Sequence, residues 1–331
     1  MSRRGAFDGT SQEWAAQGMR AVGVFDFGGP EVLRVAELPD PRPGPGEVLV
    51  RVRAATVNAS DTLIRCGARA AGEGEEGPPP YVPGMEAAGL VEAVGEGVAA
   101  EPAVGERVMA FVVPVGSRGA YAERIVVPAE SVARVPSHVS DAEAATVPMN
   151  GATARVALDT LGLRAGQVVA VSGAAGTVGG YVIQMAKADG LRVVADSSEA
   201  DERLVRGFGA EVIVPRGDDF GHRVRAEFPA GADGAVDCAL LGAAMAPAVR
   251  DGGAVITLRL YSEPAERGVR FVPIRAKHHA TDRALLERLR RYAEDGTITL
   301  RVAGTFPMEK AVEAHRRLEA GGVRGRLVLE F

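Results

Sequence analysis

Between residues 19 and 139 the hydrophobic positions come in short runs, often alternating with polar ones and separated by Gly and Pro. "GEVLVRVRAATV" (46–57) alternates as a half-buried strand does, while "GLVEAVGEGV" and "GERVMAFV" predict two more strands ended by glycine turns. The insert "RAAGEGEEGPPP" (69–80) is acidic, Gly-rich and closed by three prolines that cannot join a ladder, so it reads as a solvated loop. This stretch predicts a β-rich domain. Residues 1–18 are polar and unpatterned and are expected to be a loose extension.

Near residue 140 the texture changes. Ser140, with Glu143 three residues on, forms a capping-box pattern. Uninterrupted apolar runs then alternate with helical segments: "QVVAVSG", "YVIQMAKAD", "LRVVAD", "EADERLVRGFG", "EVIVP", "FGHRVRAEF", "GAVDCALL", "GAAMAPAVRD" and "GAVITL". Strands that are apolar throughout belong to a parallel sheet covered on both faces, so this part predicts a doubly wound α/β domain. After residue 275, "DRALLERLRRYAEDG" places Leu285, Leu286, Leu289 and Tyr292 on one helical face, stopped at Gly296. A short helix and the strand "GRLVLEF" follow, adding no further βαβ unit. The expected division is an extension at 1–18, a β-rich domain at 19–139, a nucleotide-binding domain at 140–275, and a return to the first domain at 276–331.

The most specific local pattern is "VAVSGAAGTVGG" (169–180). Read as Ala174-x-Gly176-x-x-Gly179, it is the dinucleotide fingerprint with Ala at its first position. Gly176 lets the main chain approach a pyrophosphate, and Gly179 lets the helix pack on the strand. The helix N-terminus then meets the phosphate charge. A second strand, "LRVVAD", ends in Asp196, placed to accept hydrogen bonds from an adenosine ribose.

Composition narrows the function classes. The 331 residues include 47% hydrophobic and 24% charged positions, as in ordinary soluble globular chains. A net charge of -5 with no basic run argues against a nucleic-acid partner. No run reaches membrane-span length, and the N-terminus has no apolar signal core, so a cytoplasmic location is expected. Cys66 and Cys238 are the only cysteines, which excludes a disulfide scaffold and a Cys-rich zinc site.

The segments "VNASDTLIRCG", "PYVPGMEAAGLVEAVGEGV", "VGERVMAF", "GAYAERIVVP", "SGAAGTVGGYVIQMAK", "GFGAEVI", "DGGAVITL" and "EAHRRLEAGGVRGRLVL", in this order, resemble the medium-chain dehydrogenase/reductase superfamily. The resemblance is to its zinc-free quinone oxidoreductase and enoyl reductase branch and spans Met19 to Phe331. It implies a GroES-like β-rich catalytic domain and a Rossmann domain with a parallel sheet, the active site lying between them. It also implies that Asn58, Met85 and Met149 stand where alcohol dehydrogenases place their catalytic zinc ligands. Neutral amide and thioether groups are poor zinc ligands, so no metal is expected.

The implied activity is hydride transfer from NAD(P)H to a quinone or an α,β-unsaturated carbonyl. An enoyl reductase that tailors a secondary metabolite, or a weakly catalytic nucleotide-binding or interaction protein, are the alternatives. Asn58 is the expected donor to the developing oxyanion; the competing reading is a strand-end Asn with local backbone bonds. Asp61 is either a neighbour of that site or a cap. The tyrosine that many relatives carry is missing from Gly67-Ala68-Arg69, leaving Tyr81 as a substitute or as packing against Pro80 and Pro83. Glu86, His315 and Cys238 read as structural, and His278 and His279 as solvated or core groups. Cofactor contacts are expected from Ala174, Ala175, Gly176, Thr177, Val178, Asp196, Ser197, Arg203 and Leu258. Asp201 falls where NADPH users carry a cation, so NADH is the expected preference. A homodimer is expected through an edge strand at "GVRFVPI".

Overall fold

The computed structural model describes residues 18–68, 78–99, 101–264 and 266–331. The expected N-terminal extension, apart from Gly18, and most of the acidic insert lie outside them.

β1 (Gly18–Val24) and β2 (Leu33–Pro39) pair antiparallel, Gly18 opposite Pro39. β3 (Glu47–Val57) leads into the short helix α1 (Ala59–Arg65), and then come β4 (Glu86–Val94), β5 (Arg107–Phe111), β6 (Arg124–Pro128) and β7 (Val132–Arg134). The predicted alternation in β3 is visible where Arg51 and Arg53 are exposed between buried Val50, Val52 and Ala54. α2 (Asp141–Ala144) starts on the expected capping box: Ser140 Oγ accepts from Glu143 N, and Glu143 accepts from Ser140 N at 3.0 Å.

α3 (Pro148–Leu161) then enters the parallel part, comprising β8 (Val168–Ser172), α4 (Thr177–Ala188), β9 (Arg192–Ser197), α5 (Glu202–Gly207), β10 (Val212–Pro215), α6 (Phe220–Glu227), β11 (Ala232–Asp237), β12 (Val249–Thr257) and β13 (Arg270–Pro273). The six strands are parallel in the order β10-β9-β8-β11-β12-β13. This is the doubly wound order, with its switch point between β8 and β11. The expected fold class is therefore the observed one. β13 is the edge of the sheet. One segment differs in detail: "GAAMAPAVRD" winds as a 3₁₀ turn over Gly242–Ala248 with Pro247 inside, since proline removes the amide an α-helix needs.

α7 (Arg283–Glu294) buries Leu285, Leu286, Leu289 and Ala293; Asp282 caps it by accepting from Leu285 N at 3.0 Å. β14 (Val302–Pro307), α8 (Ala311–Glu319) and β15 (Arg326–Glu330) complete the chain. β15 lies between β14 and β3 in the seven-stranded sheet of the β-rich part. Its pairing of Leu327 with Val57 carries Arg326 alongside Asn58.

Candidate functional site

The site begins at the turn after β8. Gly173 has φ +65°, a left-handed conformation that a side chain disfavours. A Cβ on Gly179 would stand 2.3 Å from the Gly173 carbonyl, so the first turn of α4 is pressed against the strand end and only glycine fits. Ala174 and Ala175 are fully buried. The first amides of α4 have no intrahelical acceptor and provide an anion-binding end. Thr177 Oγ1 is buried there without a partner among the described residues. Val178 is partly buried beside it. A narrow glycine turn, a helix N-terminus and an orphaned hydroxyl fit a dinucleotide pyrophosphate.

An arginine remote in sequence attends this turn, and a second pairs with it through the backbone. Arg301 donates to the carbonyls of Ala175 (3.1 Å) and Gly176 (2.9 Å) and stacks on Phe208. Arg326 donates its backbone amide to Arg301 O, and its Nε is buried and unpartnered among the described residues. Burial lowers the pKa of both guanidiniums; Arg326 and Arg324 lower that of Arg301 further, whereas Glu86, Tyr181, Asp61 and Tyr121 offset the effect at Arg326.

At the end of β9, Asp196 is 1% exposed and accepts from Ala174 N at 2.8 Å. Its other oxygen is 3.7 Å from Arg216 Nε. Arg324 holds Asp201 with two bonds of 2.6 Å, which together with Ser198 Oγ keep that carboxyl below the usual carboxylate range. The two expected acids are thus present, and each has an arginine beside it. Ser197 is buried and donates to Ser198 O, Arg203 is exposed on α5, and Leu258 packs against the core from the end of β12.

On the catalytic side, Glu86 is the centre of a buried polar junction. It is fully buried and accepts from Thr56 Oγ1 (2.5 Å), Asn58 Nδ2 (3.2 Å), Met149 N (2.8 Å), Asn150 N (3.3 Å) and Asn150 Nδ2. Met149 and Asn150 are in the first turn of α3, so a carboxylate from β4 caps a helix of the neighbouring domain. Burial raises the Glu86 pKa, and Arg326 is the foremost group pulling it back. Arg326 Nη2 also donates to Asn150 Oδ1.

This geometry bears on Asn58. Its side chain is 1% exposed, donates to Thr56 Oγ1 (2.9 Å) and Glu86, and accepts from Asn150 Nδ2 (3.2 Å). Both amide hydrogens are therefore already used. Asp61, fully buried, caps α1 by accepting from Asn58 N (2.8 Å) and also accepts from Gly84 N (3.1 Å) and Tyr121 (3.1 Å). Burial pushes its carboxyl up to about 7. Tyr121 contacts His315 Nε2 (3.2 Å), and Arg65 contacts His315 Nδ1 (3.2 Å). Arginine only donates, so Nδ1 is the acceptor and Nε2 carries the proton toward Tyr121. Burial, with Arg65 beside it, pushes the imidazole down to about 3 and keeps it neutral.

Tyr81 is partly exposed and stacked on Phe27 at 5.2 Å, its backbone bridged to Val24. His279 is 3.9 Å from Asp282 on a surface turn, and burial raises the Cys238 thiol well above its ordinary value. Arg301, Arg324, Arg326 and Asn150 were not singled out in the sequence. Asn150, in "VPMNG", follows Met149, which the resemblance implies stands at a zinc-ligand position; the arginines are ordinary members of an Arg-rich tail.

Two family models match the chain: "Alcohol dehydrogenase GroES-like domain" over residues 44–137 and "Zinc-binding dehydrogenase" over 208–329. The human synaptic vesicle membrane protein VAT-1 homolog-like is 40% identical over 184 residues, 55% of this chain and 41% of that protein, so the chain spans under half of that relative. A probable quinone oxidoreductase of Schizosaccharomyces pombe is 30% identical over 327 residues, covering 93% of this chain and 96% of the relative. The solved structure of a mycobacterial protein complexed with NADPH matches 95% of this chain and 100% of that one, with a TM-score of 0.81 and 29% identity. With the parallel sheet, the glycine cradle and the β-rich partner domain all in place, the chain belongs to the medium-chain dehydrogenase/reductase superfamily, in its quinone oxidoreductase branch.

Proposed function

We propose that this oxidoreductase carries hydride from NAD(P)H, with NADH preferred, to a quinone or an α,β-unsaturated carbonyl, and that it uses no metal. The observation that carries the reading is the Glu86 junction. By the resemblance, Asn58, Met85 and Met149 stand at the three ligand positions, with groups that bind zinc poorly. The carboxylate among them has both oxygens engaged by protein donors and its charge opposed by Arg326. The chain thus supplies its own positive charge at this point.

A cleft without a Lewis acid works by orientation, on an acceptor that is already electron-poor. A bound reduced nicotinamide supplies the hydride. The amides at the start of α4 and the Thr177 hydroxyl bind the pyrophosphate. Asn58 and Asp61 act by position: Asp61 fixes the start of α1, and Asn58 joins Glu86 to Asn150 across the domain junction. The enolate or hydroquinone anion is met by hydrogen bonds. A 2′-phosphate has to approach Asp196 or displace Asp201 from Arg324, which favours NADH. Two copies pair through β13 as a homodimer.

The test is an acceptor screen with NADH and NADPH in parallel, following loss of reduced-nicotinamide absorbance. Turnover of a quinone or enone is expected, faster with NADH, unchanged by chelators, and with well under one zinc per chain. Efficient turnover of acetone or ethanol, or stoichiometric zinc in the protein, overturns the reading.

A further inference from the structure

Among the described residues, Leu240 and Arg267 are the non-glycine residues with left-handed backbone, at φ +62° and +60°. L side chains avoid this region because Cβ crowds the following carbonyl. Arg267 is anchored there by its own side chain, which donates to Val249 O (3.1 Å), Ala246 O (2.6 Å) and Asp251 (2.8 Å). The Leu240 side chain has no such anchor and is 47% exposed.

What holds Leu240 in this conformation is the backbone on either side. Ala239 N donates to Ser172 Oγ at 3.1 Å. Leu241 N and Gly242 N donate to the two oxygens of Asp237 at 3.0 and 2.9 Å, and Ser172 Oγ donates to Asp237 at 2.7 Å. Strain fixed so firmly by buried groups is found where a residue's position matters more than its conformational ease.

That position is the switch point of the sheet. β11 ends at Asp237 beside β8, and the turn after it presses on the cradle: a Cβ on Gly173 would lie 2.9 Å from Cys238 C and 3.0 Å from Ala239 N. Dinucleotides lie across the carboxyl ends of such strands at the switch point; with the adenosine ribose at Asp196 on β9, the nicotinamide half falls on the β11 side of β8. A second exposed leucine, Leu260 (62%), stands at the end of the adjacent strand β12. Its loop packs on the first one, since a Cβ on Gly242 would lie 3.1 Å from the Tyr261 ring.

We infer that Leu240 is held in its strained backbone so that its side chain forms an apolar wall against the nicotinamide half of the bound dinucleotide, keeping that ring in register for transfer. The inference rests on the dinucleotide reading of the cradle. Leu240→Ala keeps the strain and removes the wall, whereas Leu240→Gly removes both.

The experiment titrates wild type and both variants with NADH and with ADP-ribose, which lacks nicotinamide, and records thermal midpoints without ligand. Both variants should bind NADH about tenfold more weakly, which corresponds to about 1.4 kcal/mol. Their ADP-ribose affinity should stay within about twofold, and Leu240→Gly should have a midpoint no lower than wild type. Unchanged NADH affinity in both variants overturns the inference, as does an equal loss for ADP-ribose, which would mean that the loop as a whole was disturbed. Wild type that binds neither NADH nor ADP-ribose overturns the dinucleotide reading itself and this inference with it.

Discussion

Glu86→Gln tests whether the buried junction depends on a charge or only on shape. The amide is the size of the carboxylate, so packing is preserved, but one acceptor oxygen becomes a donor. Three donors converge on one oxygen (Thr56 Oγ1, Asn58 Nδ2 and Asn150 Nδ2), and two helix amides, of Met149 and Asn150, on the other. Either orientation of the glutamine sets donors against a donor. A buried unsatisfied donor costs about 1–3 kcal/mol, and Arg326, the foremost charge opposing Glu86, loses its counter-charge. These losses overlap, and Arg326 is partly accessible, which keeps the total below their sum. A total of about 3–4 kcal/mol corresponds to a fall of roughly 5 °C in thermal midpoint for a chain of this size. Scanning calorimetry on wild type and Glu86→Gln reads it directly. Adding Arg326→Met to the variant should restore part of the loss, because the stranded cation is then gone. A single variant within about 2 °C of wild type would refute the reasoning, since fully buried donors would then have lost their acceptor at almost no cost.

His315→Gln probes pH dependence. Glutamine can accept from Arg65 and donate to Tyr121 as the neutral imidazole does. The folded imidazole titrates near 3 and the unfolded one near 6.5, so the unfolded chain binds the extra proton in between and wild type loses stability as pH falls through that window. The stability advantage of wild type over the variant should shrink from pH 6.5 downward in urea titrations; a constant gap would mean that the imidazole is not held neutral. Gly179→Ala places a methyl 2.3 Å from the Gly173 carbonyl, a backbone atom that cannot rotate away. It should weaken NADH at least tenfold by fluorescence titration, and wild-type affinity would show that the cradle is not where the cofactor binds.

The elements with local signals were legible in the sequence. The β8–α4 turn is fixed by glycines within a few residues of one another, the Ser140–Glu143 box by a three-residue spacing, and the buried face of α7 by its leucine period. Uniformly apolar strands announced the parallel sheet, because both faces are covered. "GAAMAPAVRD" read as helical, and with Pro247 inside it winds as a 3₁₀ turn.

The charge balance of the site was decided only by the tertiary structure. Asp196 and Asp201 read as two bare acids in the sequence, and folding brings Arg216 to one and Arg324, more than a hundred residues away, to the other. Asn58 read either as a donor to the oxyanion or as a strand-end residue with local bonds, and folding pairs both its amide hydrogens, with Thr56 and Glu86. Arg326 carried no signal at all, yet the β15–β3 register lays it beside Asn58, and its guanidinium opposes Glu86. The reason is physical: periodicity and turn chemistry act between residues a few positions apart. Coulombic and hydrogen-bond partners are chosen by distance in space, which sheet registry and domain packing set together.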